Sequence, residues 1–124
     1  MSKHRILILD DEEAVRNSLV EYFEDKGNEV YFAINVKHAL EIINANQVDV
    51  AIVDLRLPDE PGDEFIRKNY VKFENMVFII YTGTVNYQLP PDLQEIPRIS
   101  KTIFFKPIPD LSVLDNEIDK LTGN

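Results

Sequence analysis

Asp10, Asp11, Asp54, Thr82 and Lys106 each follow a short apolar run, and together they offer three carboxylates, a hydroxyl and an ammonium. Adjacent carboxylates such as Asp10 and Asp11 repel each other, and a fold that keeps both offsets the repulsion with a cation. Hard oxygen ligands suit Mg²⁺, which retains several waters and bridges one or two carboxylates to a phosphate. A carboxylate can also attack phosphorus as a nucleophile, giving an aspartyl phosphate. A nearby ammonium would neutralise the transferring group, and a hydroxyl would donate a hydrogen bond to it. Zinc does not suit this set, because the chain has no cysteine and His4 and His38 stand away from these positions in sequence. The chemistry indicated is divalent-cation binding coupled to phosphoryl transfer.

These five residues can act together only if the chain brings them to one place. The preceding runs, Arg5–Leu9, Val48–Val53, Val77–Tyr81 and Ile103–Phe105, are short and rich in Ile, Val, Leu and Phe. Unbroken apolar runs of this length suit strands covered on both faces, as in a parallel sheet. In such a sheet the carboxyl ends of the strands share one edge, where open α/β folds bind ligands. Between the strands, helical spacing recurs: Val15, Leu19, Tyr22 and Phe23, then Val36, Ala39, Leu40 and Ile43. Gly27 reads as a helix stop, and Glu29–Ala33 as a more amphipathic edge strand. A third helix is expected from about Asp63, burying Phe65, Ile66 and Tyr70, and a last one over Leu111–Leu121. Alternating strands and helices favour right-handed βαβ crossovers. One stretch breaks the pattern, since Pro90, Pro91 and Pro97 leave room for a single turn at Asp92–Ile96. The fourth helix is therefore expected to be short, displaced or absent.

A chain of 124 residues is expected to form one domain, 1–124. No apolar run approaches the roughly 20 residues needed to cross a bilayer. The start, Met1-Ser2-Lys3-His4-Arg5, leads into a run too short for a signal-peptide core, and the expected location is the cytoplasm. The formal net charge of −9 argues against direct binding to nucleic acid, which relies on Lys and Arg at the phosphates. Taken singly, each motif has a plain structural reading. Asp-Asp-Glu before a helix is a cap, and Asp54, Thr82-Gly83 and Lys106-Pro107 are turn residues. Turn chemistry does not account for all of them at four strand ends.

In order and spacing, Asp10-Asp11-Glu12, Asp54-Leu55-Arg56-Leu57-Pro58 with Gly62, Thr82-Gly83 and Lys106-Pro107 resemble the receiver domain of response regulators. The resemblance spans essentially the whole chain. It implies a three-layer, flavodoxin-like (CheY-like) doubly wound α/β fold with five parallel strands in order 2-1-3-4-5. It further implies that Asp54 accepts a phosphoryl group from a histidine kinase or histidine phosphotransfer protein. Mg²⁺ would be held by Asp10, Asp11, Asp54 and the backbone carbonyl of Arg56. Lys106 would pair with the phosphoryl group, with a cis bond to Pro107, and Thr82 would follow it. An output domain, attached or separate, would read the change, with no membrane contact. Family members carry Tyr or Phe three residues before the lysine, where this chain has Ile103, so the readout at Thr82 and Gly83 is expected to differ. Arg56 and Thr84 occupy the variable positions that tune water access to the phosphate. Two other readings compete. One is a receiver that acts only as a binding scaffold. The other is an aspartyl-phosphate phosphatase, which would need an acid where Arg56 stands.

Overall fold

The structure, a computed structural model, describes residues 4–123; Met1, Ser2, Lys3 and Asn124, part of the single domain expected from length, lie outside it. Strands and helices alternate from end to end: β1 (Arg5–Leu9), α1 (Glu13–Asp25), β2 (Glu29–Ala33), α2 (Val36–Ala45), β3 (Val50–Val53), α3 (Gly62–Asn69), β4 (Val77–Thr82), α4 (Pro91–Gln94), β5 (Phe104–Phe105) and α5 (Ser112–Thr122). The five strands form one parallel sheet in the order β2-β1-β3-β4-β5. This is the doubly wound three-layer architecture expected from the sequence.

Period-two alternation along the strands divides the apolar residues between two cores. Ile6, Ile8, Val50, Ile52, Val77, Ile79 and Tyr81 pack on one face with Leu19 and Phe23 of α1 and Leu114 and Ile118 of α5. Leu7, Leu9, Ala51, Val53, Phe78 and Ile80 pack on the other face, against α2, α3 and α4. Both faces of β1, β3 and β4 are therefore dry, which is why these segments carry no alternating polar residues. β2 lies at an edge and is more exposed, matching its amphipathic sequence.

Local chemistry sets the element ends. Gly27 takes φ 88°, and its N–H donates to the Glu24 carbonyl at 2.9 Å, closing α1. β3 starts at Val50 rather than Val48, and the Asp49 carboxylate just before it accepts the Arg5 N–H at 2.8 Å. β5 comprises only Phe104–Phe105, leaving Ile103 just outside the ladder. The fourth helix is one turn, Pro91–Gln94, and starts one residue earlier than Asp92 because Pro91 fits the first helical turn. Beyond that turn Ile99 forms an isolated parallel bridge to Phe78 of β4. Arg98 secures that segment by donating to the carbonyls of Tyr70, Phe73 and Met76 at 2.6–3.1 Å.

At Gly62 the first residue of α3 lies against the end of β3. A Cβ there would stand 2.0 Å from the Asp54 carbonyl oxygen and 2.8 Å from Val53 Cγ1. The contact is with backbone, so a side chain can be admitted only by moving α3 or the strand end. Gly62→Ala is expected to cost about 1–3 kcal/mol, read as a lower urea midpoint at unchanged slope.

Candidate functional site

Asp10, Asp54 and Lys106 each stand an even number of residues beyond side chains that face α1 and α5: Ile6 and Ile8, Val50 and Ile52, and Phe104. The same parity at the ends of β1, β3 and β5, which share one edge of the sheet, brings the three polar groups together. Lys106 Nζ lies 2.8 Å from Asp10 Oδ2, 3.1 Å from Asp54 Oδ2 and 2.8 Å from Glu12 Oε1. The three innermost side chains are almost wholly enclosed, with exposures of 8% for Lys106, 3% for Asp10 and 4% for Asp54. Lys106 also lies over the Tyr81 ring, 5.8 Å from its centroid. Its backbone N–H donates to the Thr82 carbonyl at 2.8 Å, and its bond to Pro107 is cis.

Each carboxylate has its second oxygen engaged as well. Asp10 Oδ1 accepts the Glu12 N–H at 2.9 Å, and Asp54 Oδ1 accepts the Leu55 N–H at 2.7 Å. Burial pushes the Asp10 carboxyl above its ordinary value of 3.8, although Lys106 and the Glu12 N–H act the other way. Burial disfavours the charge on Lys106, but the hydrogen bonds it donates to Asp10 and Glu12 more than offset it and raise its pKa. The ammonium is therefore an internal counter-ion for the acidic pocket.

Carboxylate oxygens of Asp10, Glu12 and Asp54 lie within 4.8 Å of one another. Every donor is a hard oxygen and the set is anionic, so these residues fit a hard divalent cation. Among the described residues this is the group with that geometry. Sequence reasoning placed Asp11 in the set and passed over Glu12. In the structure Asp11 is exposed and outside it. The available signal for Glu12 was an Asx turn, in which Asp10 accepts the N–H two residues on and folds Glu12 back over the pocket.

The other expected residues are placed as follows. Thr82 ends β4 fully buried, and its hydroxyl serves its own turn, donating to Thr84 Oγ1 at 3.3 Å and accepting the Thr84 N–H at 3.2 Å. Gly83 has open space where a Cβ would be. Arg56 is exposed two residues beyond Asp54. Ile103 packs against the core that includes α2, α3 and α4. It also borders a cleft of about 710 Å³ with Tyr87, Leu89, Gln94, Lys101 and Phe105. Phe104 turns instead toward α1 and α5, so the two phenylalanines of β5 lie on opposite faces, as strand alternation requires.

A family model described as the response regulator receiver domain matches residues 6–95. The chain belongs to that family. Receivers are the domains phosphorylated on aspartate in two-component signalling. The matched span includes Asp10, Asp54 and Thr82 and ends before Lys106, whose place in the pocket rests on the coordinates. The chain is 28% identical over 120 residues to sporulation initiation phosphotransferase F of Bacillus subtilis, covering 97% of this chain and 94% of that one. It is 38% identical over 84 residues to the virulence transcriptional regulatory protein PhoP of Salmonella typhimurium, covering 68% of this chain but only 38% of that one. A CheY-like receiver from Methanospirillum hungatei superposes with a TM-score of 0.81 at 28% identity, covering 98% of this chain and 96% of that one.

The pocket's electrostatics set opposite expectations for two substitutions in metal-free buffer. Lys106→Met strands two buried carboxylates and is expected to cost about 3–5 kcal/mol. Asp10→Asn keeps an acceptor for the Glu12 N–H and removes one of the crowded charges, so at pH 7 it is expected to stabilise by about 1 kcal/mol, or ~4 °C in Tm. Because the folded-state pKa of Asp10 is raised, its ionisation costs stability as pH rises above 3.8. The Asp10→Asn advantage should therefore be complete at neutral pH and shrink as pH falls toward 3.8. Thermal unfolding followed by circular dichroism across that range checks both signs.

Proposed function

We propose that Asp54 is the phosphoacceptor and that Oδ2, the oxygen facing Lys106, attacks the phosphorus of a phosphohistidine. The new bond joins Asp54 Oδ2 to phosphorus, the bond from phosphorus to the donor imidazole breaks, and that ring leaves with the electron pair. The observation that carries this reading is the 3.1 Å contact between Lys106 Nζ and Asp54 Oδ2, two side chains that are themselves almost wholly buried. Leu55 N–H holds Oδ1, which fixes the plane of the carboxylate and leaves Oδ2 to react. As charge shifts onto the phosphoryl oxygens, Lys106 can follow it without leaving the pocket, since its ammonium has three donors. Thr82 reaches the product by exchanging its bond to Thr84 for one to a phosphoryl oxygen.

Magnesium, when bound, supplies positive charge to the phosphoryl oxygens. Asp10, Asp54 and the Arg56 carbonyl would hold it, with Asp11 or Glu12 completing the acidic side. The acidic pocket and its hard-oxygen donors support that choice of ion. Transfer and later hydrolysis are self-catalysed, with Arg56 and Thr84 at the mouth governing access of water. Ile103, Gly83 and Pro107 lie along the route by which a change at Thr82 reaches β5. The donor is a histidine kinase or a histidine phosphotransfer protein in the cytoplasm. The reader is an output domain, attached as in longer regulators or separate. A net charge of −9 supports protein partners over nucleic acid for this domain. Among the described residues no helix is long and apolar enough to cross a membrane.

Incubation with acetyl phosphate and magnesium, followed by intact-mass spectrometry, tests the assignment. Wild type should gain one phosphoryl group, and Asp54→Asn or excess EDTA should abolish the gain. A wild type that stays unmodified would replace this reading with that of a phosphorylation-independent scaffold. Magnesium at a hundred times its Kd should also stabilise wild type by about 2.7 kcal/mol, an effect expected to be lost in Asp54→Asn.

A further inference from the structure

Asp59 lies in the loop between β3 and α3, yet its side chain serves α2. Its Oδ1 accepts the Val36 N–H and its Oδ2 the Lys37 N–H, both at 3.0 Å. These are the first two residues of α2, and Asn35 accepts the His38 N–H at 2.8 Å. Three donors that a helix start leaves unpaired are thus satisfied, two of them by a residue more than twenty positions away. Burial works against charge on Asp59, but the N–H bonds from Val36 and Lys37 outweigh it and lower its pKa below 3.8.

Asn35 alone would serve as an ordinary cap for α2. What Asp59 adds is a tie between that helix and the loop that begins at Asp54. Leu55 and Leu57 turn toward the core, while Arg56, Pro58 and Asp59 lie at the surface. The loop is closed at its base by the Gly62 N–H donating to the Leu55 carbonyl at 2.9 Å. Beyond that closure, the exposed tip is tied to α2 by the paired bonds of Asp59 and to α3 by Lys68, which donates to Glu60 Oε2 at 3.0 Å. Magnesium demands near-ideal octahedral geometry, so a backbone carbonyl offered by a loose loop is a poor ligand.

We propose that Asp59 is a positioning residue, whose two bonds to the start of α2 fix the loop carrying Asp54 and the Arg56 carbonyl and so preset the magnesium site. Ordering the loop before the ion arrives removes that cost from binding. The inference rests on the metal reading given above, and its test separates the two.

Magnesium chloride would be titrated calorimetrically into the full chain as wild type, Asp59→Ala and Asp59→Asn. Amide exchange at Leu55, Arg56 and Gly62 would be measured by NMR without metal. In Asp59→Ala, exchange at the hydrogen-bonded Leu55 and Gly62 amides should rise about tenfold, and the magnesium Kd should rise about tenfold. Asp59→Asn keeps one accepting oxygen and should fall between the two. An Asp59→Ala protein that loses thermal stability but keeps wild-type loop exchange, or keeps the wild-type Kd, would reduce Asp59 to a helix cap and overturn the proposal. If wild type itself bound no magnesium, the metal reading would fall instead. Unchanged loop exchange in Asp59→Ala would still overturn the positioning role on its own.

Discussion

The enclosed ammonium of Lys106 is the constraint on which the rest of the structure depends. Two aspartates that are almost fully buried cannot both stay ionised in a pocket of low polarity without a cation beside them. Lys106 supplies that charge from the far side of the sheet in sequence, and it does so only because β5 places it level with the ends of β1 and β3. The bonds of Asp10 to the Glu12 amide and of Asp54 to the Leu55 amide complete the arrangement. The pocket is thereby folded in the form that a phosphoryl group and a metal ion would have to rearrange.

Those cores are unequal in what they leave free. On the side of α1 and α5 the sheet is covered by two long helices. On the other side α4 is a single turn, and the chain beyond it is secured by polar ties rather than by a helix face. Arg67 of α3 makes a two-point ion pair with Asp92, at 2.7 and 3.1 Å, and also pairs with Glu64. The Tyr87 hydroxyl donates to Asp63 Oδ2 at 3.0 Å. Both ties join α3, whose first residue touches the Asp54 carbonyl, to the segment that follows Thr82. The cleft beside Ile103 is lined by that same segment, at Tyr87, Leu89 and Gln94, and by Phe105 of β5.

Most of the fold was legible because its strands carry a strong signal. Residues buried on both faces of a parallel sheet must be apolar without interruption, and β1, β3 and β4 show that directly. Proline chemistry was equally readable, and it foretold the truncated α4. Boundaries were less so: Val48 reads as strand but lies outside β3, which starts at Val50. The tie of Ile99 to β4 was not visible, since an isolated bridge has no period.

The sequence by itself determined the sheet and put Asp10, Asp54 and Lys106 on one face at one edge, because side chains alternate with a fixed period of two and parallel strands end together. Beyond the residue that follows each strand that period lapses, and direction is set by whichever hydrogen bond the turn can make. Only the tertiary structure could therefore decide that Glu12 and not Asp11 folds over the pocket, that Thr82 turns its hydroxyl to Thr84, and that Asp59 reaches across to α2.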